Sequence, residues 1–201
     1  MQTPIRPAAA ISPPISATFP VKPAHFWTVF SEALRTDYSD PQKQVRDKYD
    51  HAKPWTLYIS ELTESLSGKF SCIADREYWP RIDVSYFDKA GKEWAEWALE
   101  VAIELENNEN WIEELSKLLM VNAGLKVLIA YENSRERIME LLSEFTRIHA
   151  SRKYRTSNCG WLFIFGPRQI DAIEGAIHDF VAFTFNGTEI IEITGDRHTL
   201  L

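Results

Sequence analysis

The stretch Ala98–Asn107 constrains the fold most, because its apolar residues recur with a period of two over a full strand length. Leu99, Val101, Ile103 and Leu105 fall on one side, and Glu100, Ala102, Glu104 and Glu106 on the other. One face suits a core. The other carries three carboxylates, which repel one another unless they meet water, a positive group or a metal ion. Whatever this chain folds into has to accommodate that acidic face.

With 201 residues, 45% of them hydrophobic, the chain is long enough to bury one sizeable core. Most of its ten prolines lie within residues 1–23. That composition opposes helix and central strand alike, so 1–23 reads as a flexible Pro-rich segment and 24–201 as a single α/β domain. Helices are expected over 25–34, with Phe26, Trp27 and Phe30 on one face, over 41–49, and over 54–66, with Tyr58, Leu62 and Leu66 inward. After Gly68 the pattern turns to strands: 69–74, then 81–87, where Ile82, Val84 and Tyr86 alternate with Asp83, Ser85 and Phe87.

The acidic strand then reads as the return arm of a hairpin. A loop centred near Glu93–Trp94 sets Asp83 opposite Glu104, whereas a turn at Ala90-Gly91 sets it opposite Ala98; the first register is the expected one. Asn110, with Glu113 behind it, caps a helix over 111–122 whose stripe is Ile112, Leu115, Leu118 and Leu119. The nearly continuous apolar run 125–131 suits a strand covered on both faces. Asn133 is the expected cap of a further helix with Ile138, Leu141, Leu142, Phe145 and Ile148 inward. A strand over 160–165 and a hairpin of 180–185 with 189–194 around Asn186-Gly187 complete the chain.

The order helix, three strands, helix, strand over residues 54–131, together with Arg81-Ile82-Asp83 and Glu104-Leu105-Glu106 ahead of a helix, resembles the PD-(D/E)xK nuclease superfamily. The resemblance implies a restriction-endonuclease-like αβββαβ core with a mixed sheet and flanking helices, here extended by the C-terminal hairpin. It implies that Asp83 and Glu104 hold Mg²⁺ or Mn²⁺ and that DNA is the substrate. Glu106 stands where that family has its lysine, so Glu106 itself, Lys117 on the next helix or Lys126 on the next strand takes over the lysine's role. Glu61 or Glu64 on the preceding helix matches the additional acid often found there. The same resemblance admits a catalytically decayed module that binds protein or nucleic acid. Surface readings compete for each residue: Glu side chains on a solvated strand face, and Lys117 opposite a leucine stripe.

Other classes find less support. The formal net charge of −7 opposes nucleic-acid binding by overall charge and leaves only local patches, such as Arg147, Arg152, Lys153 and Arg155. Trp79, Trp94, Trp97 and Trp111 flank the acidic hairpin and suit either packing or base stacking. The five histidines lack zinc-enzyme spacing, and no P-loop, GxGxxG or GxSxG occurs. Two distant cysteines, no long apolar run and no signal-like start give the expectation of a reduced, cytoplasmic protein without a membrane span.

Overall fold

The computed structural model describes residues 21–45, 48, 51–78, 81–88, 98–106, 111–151, 159–167 and 180–193. Its frame is a mixed sheet of seven strands whose spatial order is their chain order. These are β1 (Cys72–Tyr78), β2 (Ile82–Asp88), β3 (Leu99–Glu106), β4 (Leu125–Tyr131), β5 (Gly160–Gly166), β6 (Val181–Phe185) and β7 (Ile190–Glu192). β3, β4 and β5 run parallel, and antiparallel pairs extend the sheet on both sides. The sheet is therefore wider than the four strands expected within 54–131.

Parallel neighbours require a crossover, and two helices supply it. α3 (Trp111–Met120) joins β3 to β4, and α4 (Arg135–Ser151) joins β4 to β5. Both cover one face, where Leu115, Leu118, Leu142 and Phe145 meet Ala102, Leu128, Trp161 and Phe163. On the opposite face α1 (Pro23–Ser39) and α2 (Ala52–Leu66) bring Phe26, Phe30, Trp55 and Ile59 onto Tyr86, Val101, Ile103 and Val127. β4 and β5 thus lie between two layers, which is why their sequences are almost unbroken apolar runs. Full burial of one such Phe or Leu contributes about 1.5–3 kcal/mol.

Several element boundaries differ from the sequence expectation for local reasons. α1 runs on to Ser39. The helix expected over 41–49 is interrupted: Pro41–Lys43 makes a 3₁₀ turn, and Gln44 follows with φ 50°, a left-handed conformation that ends it. A second 3₁₀ turn, Ser67–Phe70, and Ser71 at φ 59° delay β1 until Cys72. Ser134, not Asn133, caps α4, its Oγ accepting from the Arg137 N–H at 3.2 Å. The Asn186-Gly187 turn forms as expected, with Gly187 at φ 97° and Asn186 Oδ1 accepting from the N–H groups of Thr188 (2.9 Å) and Glu189 (3.0 Å).

The acidic face of β3 is the main departure. It is not solvated: α3 packs against β3, and Glu100, Glu104 and Glu106 are all buried. The three are not in one line either. Tyr86 pairs with Val101 and Phe87 with Leu99, so Glu100 is the extra residue of a β-bulge, and its charge helps push the Cys72 thiol up to about 11, after burial. The expected segment 1–23 lies outside the described residues up to position 20, as do Asn110, Trp79, Trp94 and Trp97. Among the described residues no helix is long and apolar enough to cross a membrane.

Candidate metal centre

β2 and β3 set the first two acids of the site. Their register runs through Ser85–Ala102 to Val84–Ile103 and, continued by one residue, brings Asp83 level with Glu104; the loop expected around Glu93–Trp94 lies outside the described residues. The backbone N–H of Leu105 donates to Asp83 Oδ2 at 2.8 Å and fixes the Asp83 carboxylate across the strand pair. Asp83 is the second residue of β2 and Glu104 lies near the end of β3, so both stand toward the C-terminal end of the parallel strands. In open α/β sheets that edge is where ligands collect.

α3 supplies the third acid. Its buried side carries Trp111, Leu115 and Leu118, which turns Glu114 and Lys117 partly inward toward the end of β3. Ile112, expected on the apolar stripe, is instead 49% exposed. Carboxylate oxygens of Asp83, Glu104 and Glu114 lie within 4.8 Å of one another. Lys117 Nζ sits 3.3 Å from Glu104 Oε2 and also contacts Glu114 Oε2.

Placing carboxylates this close in a buried site shifts their protonation. Burial, a hydrogen-bond contact with Glu114, and the charges of Asp83 and Glu114 together push Glu104 up to about 10, against the pull of Lys117. Burial and the neighbouring acids thus favour the protonated form of Glu104, and a cation at the site favours the carboxylate. Burial raises Asp83 as well, opposed by the Leu105 N–H bond. The Lys117 ammonium loses by desolvation but gains more from Glu114 and Glu104, and stays above its ordinary value.

A divalent cation fits these residues. The donors are all carboxylate oxygens, the set that hard cations take. Glu104 is fully buried, and among the described residues its Oε1 has no hydrogen-bond donor. A buried carboxylate oxygen left that way is costly unless something positive meets it.

The remaining candidate residues fall elsewhere. Glu106 is buried next to Ala130 of β4 in register and is not among the three converging acids. Glu64 pairs with Arg76 of β1, and α2, which carries Glu61 and Glu64, packs on the other face of the sheet. Lys126 is 1% exposed and holds its Nζ 5.0 Å over the Trp161 ring, so it belongs to the interior and not to a strand end reaching for water. Arg147 pairs with Glu144 on α4, and Arg152, Lys153 and Arg155 lie outside the described residues.

Glu114 is the residue that sequence reasoning missed. Taking Ile112 as core rotates α3 by one residue, about 100°, and swings Glu114 away from the sheet. The available signal was Trp111 with Leu115 and Leu118, spaced i, i+4, i+7, a stripe that Glu114 and Lys117 flank.

No protein-family model matches this chain, and neither a curated protein nor a solved structure matches it.

Proposed function

We propose that this chain is a divalent-metal-dependent nuclease of the PD-(D/E)xK type that hydrolyses DNA phosphodiester bonds. The observation that carries the reading is the convergence of Asp83, Glu104 and Glu114 within 4.8 Å, with the Lys117 ammonium beside them. The succession α2, β1, β2, β3, α3, β4 supports a restriction-endonuclease-like core as part of it.

In this reading Asp83 and Glu104 hold Mg²⁺ or Mn²⁺, with Glu114 as a further ligand. The bound ion supplies Lewis-acid polarisation of the phosphate and a more acidic water. The chain's own groups do the rest. The Leu105 N–H keeps Asp83 oriented, and the dry floor around Glu104 strengthens each electrostatic contact. Lys117 serves in place of the motif lysine, its ammonium positioned to orient the attacking water or to pair with a phosphate oxygen. Glu106, at the motif lysine's own position two residues after Glu104, favours a second reading, a non-catalytic module that binds protein or nucleic acid.

Nicking of supercoiled plasmid DNA separates the two. The nuclease reading expects Mg²⁺- or Mn²⁺-dependent nicking that falls at least a hundredfold in Glu104→Ala, on the order of the loss of one preorganised electrostatic group. No nicking with either ion, or nicking unchanged in Glu104→Ala, rejects it.

A further inference from the structure

We infer that Lys117 is a tethered counter-cation that occupies the cation position between Glu104 and Glu114 and leaves it when a divalent ion binds, so that lysine and metal exchange at one site. The inference rests on the metal-site reading above and adds to it the means by which the site is kept folded and regulated.

The geometry argues for exchange in place of coexistence. The Lys117 Nζ reaches the Glu104 and Glu114 carboxylates together, 3.3 Å from Oε2 of Glu104 and in contact with Oε2 of Glu114. These are two of the three acids whose oxygens cluster within 4.8 Å. A volume that small does not hold an ammonium and a divalent ion side by side without strong like-charge repulsion. The other components are fixed: Glu104 is fully buried on a strand inside the sheet, and Asp83 is held by the Leu105 N–H. Lys117 is not fixed. Its side chain is 25% exposed, and four rotatable bonds separate the ammonium from a helix that stays in place. Among the described residues Glu104 Oε1 lies buried without a hydrogen-bond donor while Lys117 serves Oε2, so a single ammonium satisfies the site incompletely. A divalent ion has the coordination number to reach more of these oxygens. Once displaced, Lys117 stands at the mouth of the site, where a phosphate oxygen arrives.

The test uses Mn²⁺ alone and the full chain. Calorimetric titration compares wild type with Lys117→Met and Lys117→Gln, and acetylation of wild type by an N-hydroxysuccinimide ester is followed at Lys117 by peptide mass spectrometry, with exposed Lys69 as the internal reference. Exchange predicts Mn²⁺ binding about tenfold tighter in the two variants, because one competing positive charge is gone. It also predicts that saturating Mn²⁺ raises the acetylation rate of Lys117 severalfold relative to Lys69. Binding by the variants where wild type shows none supports the same conclusion. Unchanged or weaker binding in the variants, or Lys117 acetylation that stays level or falls with Mn²⁺, overturns the exchange and leaves the metal site standing. Absence of binding in all three proteins at millimolar Mn²⁺ removes the metal site itself. The acetylation arm needs no variant, so it decides between exchange and coexistence even where either substitution misfolds.

Discussion

The two faces of the sheet are built on opposite terms. Beneath α1 and α2 the interface is aromatic and aliphatic, with Phe26 stacked on Phe70 at 5.6 Å, and its buried Tyr86 hydroxyl is satisfied by donating to the Thr63 carbonyl. Beneath α3 and α4 an equally aromatic layer, Phe145 against Trp161 and Phe163, shares its space with Glu104, Lys126 and the half-buried Asp83. The first face is explained by stability alone. The second is not, since each buried charge costs several kcal/mol unless a partner meets it. One side holds the fold, and the other gives up stability for a site.

That contrast can be broken most heavily on the apolar side. Phe26→Ala empties a fully buried position and is expected to cost about 3–5 kcal/mol, lowering Tm by about 10 °C, with the Mn²⁺ response of the folded protein intact. Differential scanning calorimetry with and without Mn²⁺ checks both effects.

On the polar side the expectation reverses. Glu104 is raised in the folded chain to about 10 from an unfolded value near 4.5, so the native state binds the extra proton. Its contribution to stability is complete below about pH 4.5 and is lost as pH rises toward 10. Gln needs no such proton. Glu104→Gln should therefore match wild type near pH 5 and gain on it steadily toward pH 9, by on the order of a few kcal/mol and a Tm gap that widens with pH, while losing its Mn²⁺ response. Thermal melts across that range decide it. Wild-type stability that stays flat with pH would refute the assigned protonation.

Smaller effects sharpen the same comparison. Tyr86→Phe leaves the Thr63 carbonyl without its donor and should cost about 1 kcal/mol by chemical denaturation, independent of metal. Arg147→Ala removes an exposed, solvent-screened pair with Glu144 and should leave the denaturation midpoint unchanged.

The parts of this architecture that sequence made legible are those where one local rule decides. Alternation over 84–86 and 101–105 placed the middle of the β2 and β3 arms, while Ile82 and Leu99, expected on the same face, turn to the side of α3 and α4; of the two registers the sequence allowed, the pairing of Val84 with Ile103 fits the one that brings Asp83 beside Glu104. Asn186-Gly187 named its own turn. The illegible parts needed tertiary information. Whether the Glu face of β3 met water or a helix depended on which side of the sheet α3 and α4 crossed, and no local pattern states that. The bulge at Glu100 broke an alternation that looked continuous. Ile112 and Trp111 competed for the same apolar stripe, and the loser decided whether Glu114 faced the site. Gln44 ended a helix with a left-handed conformation that its residue type gives no warning of.

The most direct test of the central claim, that β2, β3 and α3 each contribute one carboxylate to a single cation site, is an Mn²⁺ thermal shift on wild type, Asp83→Asn and Glu114→Gln. Wild type should gain about 5 °C or more at saturating Mn²⁺, and each variant should lose most of that gain. No shift in wild type, or an equal shift in all three, contradicts the account.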